Sequence, residues 1–201
     1  MNKISEIFTN NNDISGYSKA YFEYLSEILQ KISTAEIGAF INTLLHAREV
    51  GAKIYFIGNG GSAATASHFV NDIAIGTREY DKPFKVVSLC DNSAILTAIS
   101  NDDGFDNVFS QQLQVLLNKG DVVVAISASG NSANLLKAFD VAKQKGATTI
   151  GLSAFDGGKL KTEADISVHV PTGRGEYGPA EDAHMVLDHL VSSYLIHLIK
   201  S

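Results

Sequence analysis

The sequence predicts an α/β protein built on a doubly wound, mostly parallel sheet, and three observations carry that reading. Short apolar runs alternate with amphipathic helical stretches along most of the chain. The run from Val122 to Ile126 is continuously apolar, as a strand buried on both faces must be. Two of the runs end in loops of Gly and small polar residues that open straight into helices, at Gly58-Asn59-Gly60-Gly61-Ser62 and at Ser127-Ala128-Ser129-Gly130-Asn131-Ser132.

The elements follow in order. The first dozen residues run into Asn10-Asn11-Asn12-Asp13; they are polar, and a frayed end is expected there. Tyr17 to Ile32 carries Tyr21, Leu25, Ile28 and Leu29 at helical spacing. Ser33-Thr34-Ala35-Glu36 reads as the cap of a second helix bearing Ile37, Phe40, Ile41, Leu44 and Leu45. This leading helical pair has apolar surface to hide, on the domain or on another subunit. Strands are expected at 53–57, 85–89, 121–126, 147–152 and 165–170. Helices are expected at 63–75, 93–100, 106–118 and 132–145, and from about Ala180 to Ile199. No linker or low-complexity tract interrupts the chain, so one domain over 1–201 is expected, with residues 1–50 as the helical pair. The Gly-rich stretch Pro171 to Pro179, with Arg174, Glu176 and Tyr177, is the longest irregular one and is placed to cover a site.

Composition narrows the function. A hydrophobic fraction of 45% with 17 Gly fits a tightly turned globular chain. The single Cys, Cys90, excludes an internal disulfide and points to a reducing cytoplasm. The net charge of −6 without a basic run argues against nucleic acid. No apolar run reaches membrane-spanning length, and the opening Met-Asn-Lys-Ile-Ser-Glu lacks the apolar core of a secretory leader. An anionic ligand must therefore be held by local dipoles and a few placed cations.

The Ser loop is where such a ligand fits. The first N–H groups of a helix have no intrahelical partner, the macrodipole is positive there, and Ser127, Ser129 and Ser132 add hydroxyl donors. The Gly58–Ser62 loop repeats the design, so two strand–loop–helix units are expected to grip one ligand from two sides. Gly58-x-Gly60-x-x-Ala63 also fits a dinucleotide fingerprint, with Asp91 as a ribose ligand, which keeps a nicotinamide enzyme as a rival. Asp91 lies farther on than the usual spacing of roughly 20 residues, and that reading leaves the Ser loop idle. A P-loop is excluded, because no Gly-Lys-Ser/Thr occurs.

His68 and Asp72, four apart on one helix, suit a metal pair, an acid–base pair or an ordinary surface hydrogen bond. On the last helix Glu181, His184, Asp188 and His189 stand among Met185, Val186, Leu187 and Leu190, where ionisable groups are costly to bury unless used or paired. Glu181 and His189 lie about 80° apart around that helix, loosely on one side. His46, His169 and His197 read as structural or exposed. No Cys–His or Ser–His–Asp arrangement stands out.

At these residues the chain resembles the sugar isomerase (SIS) domain family, and within it the phosphoheptose isomerases. The resemblance spans nearly the whole chain and includes the leading helical pair, the Gly58–Ser62 loop, His68-x-x-x-Asp72, Asn101-Asp102-x-Gly104-Phe105, the Ser127–Ser132 loop and the terminal helix through His189. It implies a five-stranded parallel sheet between helices, and a homotetramer with sites at subunit interfaces. It implies a cytoplasmic isomerase turning sedoheptulose 7-phosphate into a heptose 7-phosphate through an enediol, with no nucleotide cofactor. Ser127, Ala128, Ser129 and Ser132 would take the phosphate, and Asn59, Gly60, Gly61, Ser62, Asn101 and Asp102 the sugar. The family's catalytic Glu matches Asp72 and its partner His matches His189, with Glu181 beside them. Some members bind zinc at positions that correspond to His68, Asp72, Glu181 and His189. Asp72 stands where the family usually has Glu, and Glu181 where it has Gln. A related branch, the proteins that associate with the replication initiator DnaA, implies a non-catalytic alternative that binds a phosphosugar or a protein partner.

Overall fold

The computed structural model describes residues 2–11 and 13–200. Three helices precede the sheet: α1 (Lys3–Asn10), α2 (Ile14–Gln30) and α3 (Thr34–Val50). The expected frayed end is thus helical where it is described, and Asn12 lies outside the described residues. Asn2 caps α1, its side chain accepting from the Ser5 N–H, and Ile7 is buried beneath. At α3, Ser33 accepts from the Glu36 N–H, but Glu36 does not reach back to close the box. Its carboxylate instead accepts from the His169 N–H at 3.0 Å and ties α3 to the far edge of the sheet.

The sheet has five parallel strands: β1 (Lys53–Gly58), β2 (Lys85–Ser88), β3 (Val122–Ser127), β4 (Thr148–Ser153) and β5 (Ile166–His169). Their order is β2-β1-β3-β4-β5. Side chains alternate between two cores, as a strand's period of two requires. Ile54, Phe56, Val122, Val124 and Ile126 face α3, α4 and α9, whereas Tyr55, Ile57, Val123 and Ala125 face the opposite layer. Phe56 stacks on Phe69 of α4 with ring centroids 5.1 Å apart. The remaining helices are α4 (Gly61–Val70), α5 (Ser93–Asp102), α6 (Ser110–Leu116), α7 (Ala133–Gln144), α8 (Gly158–Glu163) and α9 (Tyr177–Lys200).

The structure departs from the expected elements at three places. The helix expected at 63–75 is α-helical only to Val70 and continues as a π-helical turn over Asn71–Gly76. The helix expected at 106–118 is a short 3-10 turn, Phe105–Asn107, followed by α6. The parallel strands β4 and β5 need a crossover, and α8 supplies one where the sequence pattern shows no clear periodicity. Among the described residues no helix is long and apolar enough to cross a membrane.

Candidate active site

In a 2-1-3-4-5 sheet the connections leave β1 and β3 in opposite directions, and a crevice opens at their carboxyl ends. The two Gly/Ser loops sit there, since β1 and β3 pair directly. They enclose a cavity of about 150 Å³. Asn59 and Ser62 line one side and Ser127, Ala128, Ser129 and Ser132 the other, with Tyr177 and Glu181 of α9 between them. The loops are stapled by a reciprocal amide pair: Asn59 Nδ2 donates to Asn134 Oδ1 at 3.0 Å, and Asn134 Nδ2 donates to Asn59 Oδ1 at 2.8 Å. Asn134, buried in the first turn of α7, is a site residue that sequence reasoning missed, since a lone Asn carries no signal beyond its place after the Ser loop.

Both helices that point into the cavity are uncapped. Ser132 occupies the N-cap of α7 and Gly60 that of α4, and neither makes a side-chain cap bond. Their first N–H groups and the Ser132 hydroxyl are free for an anion. The Ser127 hydroxyl accepts from the Gly130 N–H at 3.1 Å and shapes the turn. Gly130 needs its positive φ of 64°, and a Cβ there would strike the Gly157 carbonyl. No Lys or Arg lines the cavity among the described residues, so within one chain the expected placed cations are replaced by dipoles and hydroxyls.

Gly60 and Gly61 stand at the exposed start of α4. Gly61 carries the carboxylate of Glu181 against its backbone, where a Cβ would lie 2.3 Å from Oε2. Asn101 and Asp102 do not join the cavity: they lie exposed at the end of α5, bonded to each other. Asp91 accepts from the Ser67 hydroxyl on α4. That bond and the strand order, which is not the 3-2-1-4-5 of dinucleotide folds, remove the nicotinamide reading. The stretch after Pro171 is anchored rather than loose. Glu176, buried, accepts from the Lys3 N–H at 2.5 Å, the Tyr24 hydroxyl at 2.5 Å and the Gly173 N–H at 2.8 Å.

Farther along α4 and α9 lies a second group. His68, Asp72, Asp188 and His189 each bring one ligand atom within 4.8 Å of the others. His68 Nε2 stands 3.2 Å from His189 Nε2 and 3.5 Å from Asp72 Oδ2. These separations match the ligand–ligand edge of about 3.3 Å that follows from zinc bonds of about 2.0–2.1 Å in a tetrahedron. Imidazole and carboxylate donors at this spacing fit zinc. Glu181, expected here, is not one of these four in the single chain; its carboxylate lies against Gly61 at the start of α4. Burial first, and then the facing Asp72, push the Asp188 carboxyl up to about 8. His184 is fully buried, and desolvation lowers its pKa to about 4, so its ring is neutral. His46 and His197 are exposed, and His169 pairs with the Ser153 hydroxyl at 3.1 Å.

With this geometry established, comparisons place the chain. The SIS domain family profile matches residues 20–154. The phosphoheptose isomerase of Geobacter metallireducens is 38% identical over 181 residues, covering 90% of this chain and 94% of that protein. The phosphoheptose isomerase of Burkholderia pseudomallei is 36% identical over 178 residues, covering 88% and 85%. The structure of phosphoheptose isomerase GmhA from Neisseria gonorrhoeae superposes with a TM-score of 0.81 at 31% identity, covering 91% of this chain and 98% of that one. By sequence profile, by identity over nine-tenths of its length and by fold, the chain belongs to the SIS domain family, alongside the phosphoheptose isomerases.

Proposed function

We propose that this protein is a phosphosugar isomerase that converts sedoheptulose 7-phosphate to glycero-manno-heptose 7-phosphate through an enediol. The observation that carries this is the cavity at the β1–β3 crevice, built from two uncapped helix starts and the Ser127, Ser129 and Ser132 hydroxyls. The names of its relatives in the family support the same reaction.

Substrate length fits the layout. Ser62 and His68 are six residues apart on α4, about 9 Å along its axis. An extended chain spans about 1.2 Å per bond, so the seven bonds from phosphorus to C2 of a heptulose 7-phosphate span about 8 Å. A substrate lying along α4 with its phosphate at the level of Ser62 would therefore bring its carbonyl end level with His68, beside Asp72 and His189. There the Asp72 carboxylate takes the proton next to the carbonyl, and His189 exchanges a proton with the neighbouring oxygen. Glu181, in the cavity, contacts the sugar between these ends. A zinc ion held by His68, Asp72 and His189 would polarise the carbonyl and hydroxyl oxygens.

The working form is read as a cytoplasmic homotetramer with sites completed across interfaces. Three features support this. Asn101 and Asp102 lie outside the cavity of their own chain, α5 has no buried residue, and Val186, Leu190 and Tyr194 form an exposed apolar stripe along α9. The test of the reaction is incubation with sedoheptulose 7-phosphate, followed by NMR. An aldose phosphate product is expected. Its absence at any metal loading overturns the isomerase reading and leaves the non-catalytic, partner-binding alternative.

A further inference from the structure

Tyr177, the first residue of α9, lines the cavity between the two Gly/Ser loops and is 56% exposed. The hydroxyls of Tyr21, Tyr24 and Tyr55 each donate within the protein, to Asp182, Glu176 and the Leu116 carbonyl. Among the described residues the Tyr177 hydroxyl has no protein partner.

The Tyr177 ring is nevertheless held from two sides. It meets Phe155 edge to face, with centroids 5.1 Å apart and planes at 82°. Phe155 follows β4 with a left-handed φ of 56°, a conformation that a bulky residue keeps only where its surroundings impose it. Those surroundings include the Ser loop: the Ala154 N–H donates to the Ala128 carbonyl at 3.1 Å, and the Leu160 N–H to the Gly130 carbonyl at 2.9 Å. On the other side Glu176, next to Tyr177 in the chain, is buried and tied to Lys3, Tyr24 and Gly173. The cavity has one charged side chain among its lining residues, Glu181, one turn on from Tyr177. Its carboxylate lies against Gly61, on the α4 side. Like charges keep apart, so a phosphate belongs on the opposite, Ser-loop side, where Phe155 holds the Tyr177 ring.

We propose that Tyr177 is a phosphosugar-binding residue whose hydroxyl donates to the substrate phosphate where a lysine or arginine is missing, and that Phe155 positions it. This rests on the placement of the phosphate at the Ser loop given above and adds a donor to it. A phenol is a more acidic donor than an alkyl hydroxyl, and hydrogen bonds to an anion are the strong ones. The phosphate is remote from the reacting carbons. The contact is therefore equal in ground and transition states and acts on binding rather than on turnover.

The test is calorimetry and kinetics on the full chain with sedoheptulose 7-phosphate, with inorganic phosphate as a competing probe. Tyr177→Phe keeps the ring and its contact with Phe155 and removes only the hydroxyl, at a position too exposed to disturb the core. Kd and KM should rise roughly 10–100-fold with kcat little changed, and phosphate should compete correspondingly less well. Phe155→Gly suits the left-handed φ and removes the ring. It should weaken binding in the parent but add little to Tyr177→Phe, since both act through one hydroxyl. Phe155→Leu serves if the Gly variant does not fold. Parent affinity in Tyr177→Phe overturns the proposal, as does a fall in kcat at parent KM. Unchanged phosphate competition beside weakened phosphosugar binding assigns the hydroxyl to the sugar and also overturns it. Additive losses in the double variant overturn the role of Phe155. A parent that binds neither probe overturns the phosphate placement and this proposal together. A parent that binds sedoheptulose 7-phosphate without isomerising it overturns the isomerase reading alone.

Discussion

His68 Nε2 and His189 Nε2 stand 3.2 Å apart, joining α4 to α9 across 121 positions of sequence. Two imidazoles that meet through the same nitrogen can share one proton, but both cannot be cations without repulsion. Asp72 Oδ2 stands 3.5 Å from His68 Nε2 and joins the same group.

The proton-transfer roles are separable by isotope exchange. Asp72→Asn keeps shape and hydrogen bonding but loses the basic carboxylate. It should still bind phosphosugar yet lose solvent-deuterium exchange at the carbon next to the carbonyl, by at least about a hundredfold if general-base catalysis is removed. If Glu181→Gln is the silent variant and Asp72→Asn exchanges normally, the base is Glu181.

The phosphate loop is testable by binding. Replacing Ser129 and Ser132 by Ala removes charge-assisted hydrogen bonds worth roughly 1.5–3 kcal/mol each. Calorimetry should show phosphosugar affinity lowered by two orders of magnitude or more. The melting temperature should hardly move, since Ser132 makes no cap bond in the free protein. Unchanged affinity would place the phosphate elsewhere.

Gly61→Ala should damage activity without damaging the fold. The new Cβ would stand 2.3 Å from Glu181 Oε2 and must push the carboxylate aside. Ala is the better helix former by up to about 1 kcal/mol, which offsets the local clash. A rise in KM or fall in kcat is expected at near-parent melting temperature; parent kinetics would show that the Glu181 position is immaterial.

Assembly is read by light scattering, where a tetramer mass is expected at micromolar concentration. Leu190→Asp, on the exposed face of α9, should lower the mass and the turnover together. A monomeric parent with full activity would contradict sites completed across interfaces.

Acid should weaken the fold through His184. Its folded pKa, about 4, lies below the ordinary value of 6.5, so the unfolded chain binds the extra proton first. Stability is full above about pH 6.5 and is lost as pH falls toward about 4, by on the order of 3 kcal/mol. His184→Gln should flatten that part of the melting-temperature profile. His169, whose pKa burial also lowers, leaves a smaller slope of the same sign.

Much of this protein was legible in its sequence because the signals are local. The apolar run Val122 to Ile126 became the central strand β3, and the Ser127–Ser132 loop lies at the start of α7 as the anion-site argument requires. Period and capping act over a few residues, so the chain displays them without knowing its neighbours. Tertiary structure alone decided the rest. Strand order set the two Gly/Ser loops side by side at the crevice. The π-helical turn at Asn71–Gly76, beginning beside Asp72, has no period that an α-helical pattern reveals. Angular spacing put Glu181 and His189 on one side of α9, but in the single chain Glu181 lies against Gly61 and Asp188 stands beside His68. Which ionisable groups meet depends on how two helices register against each other, and no single helix encodes that.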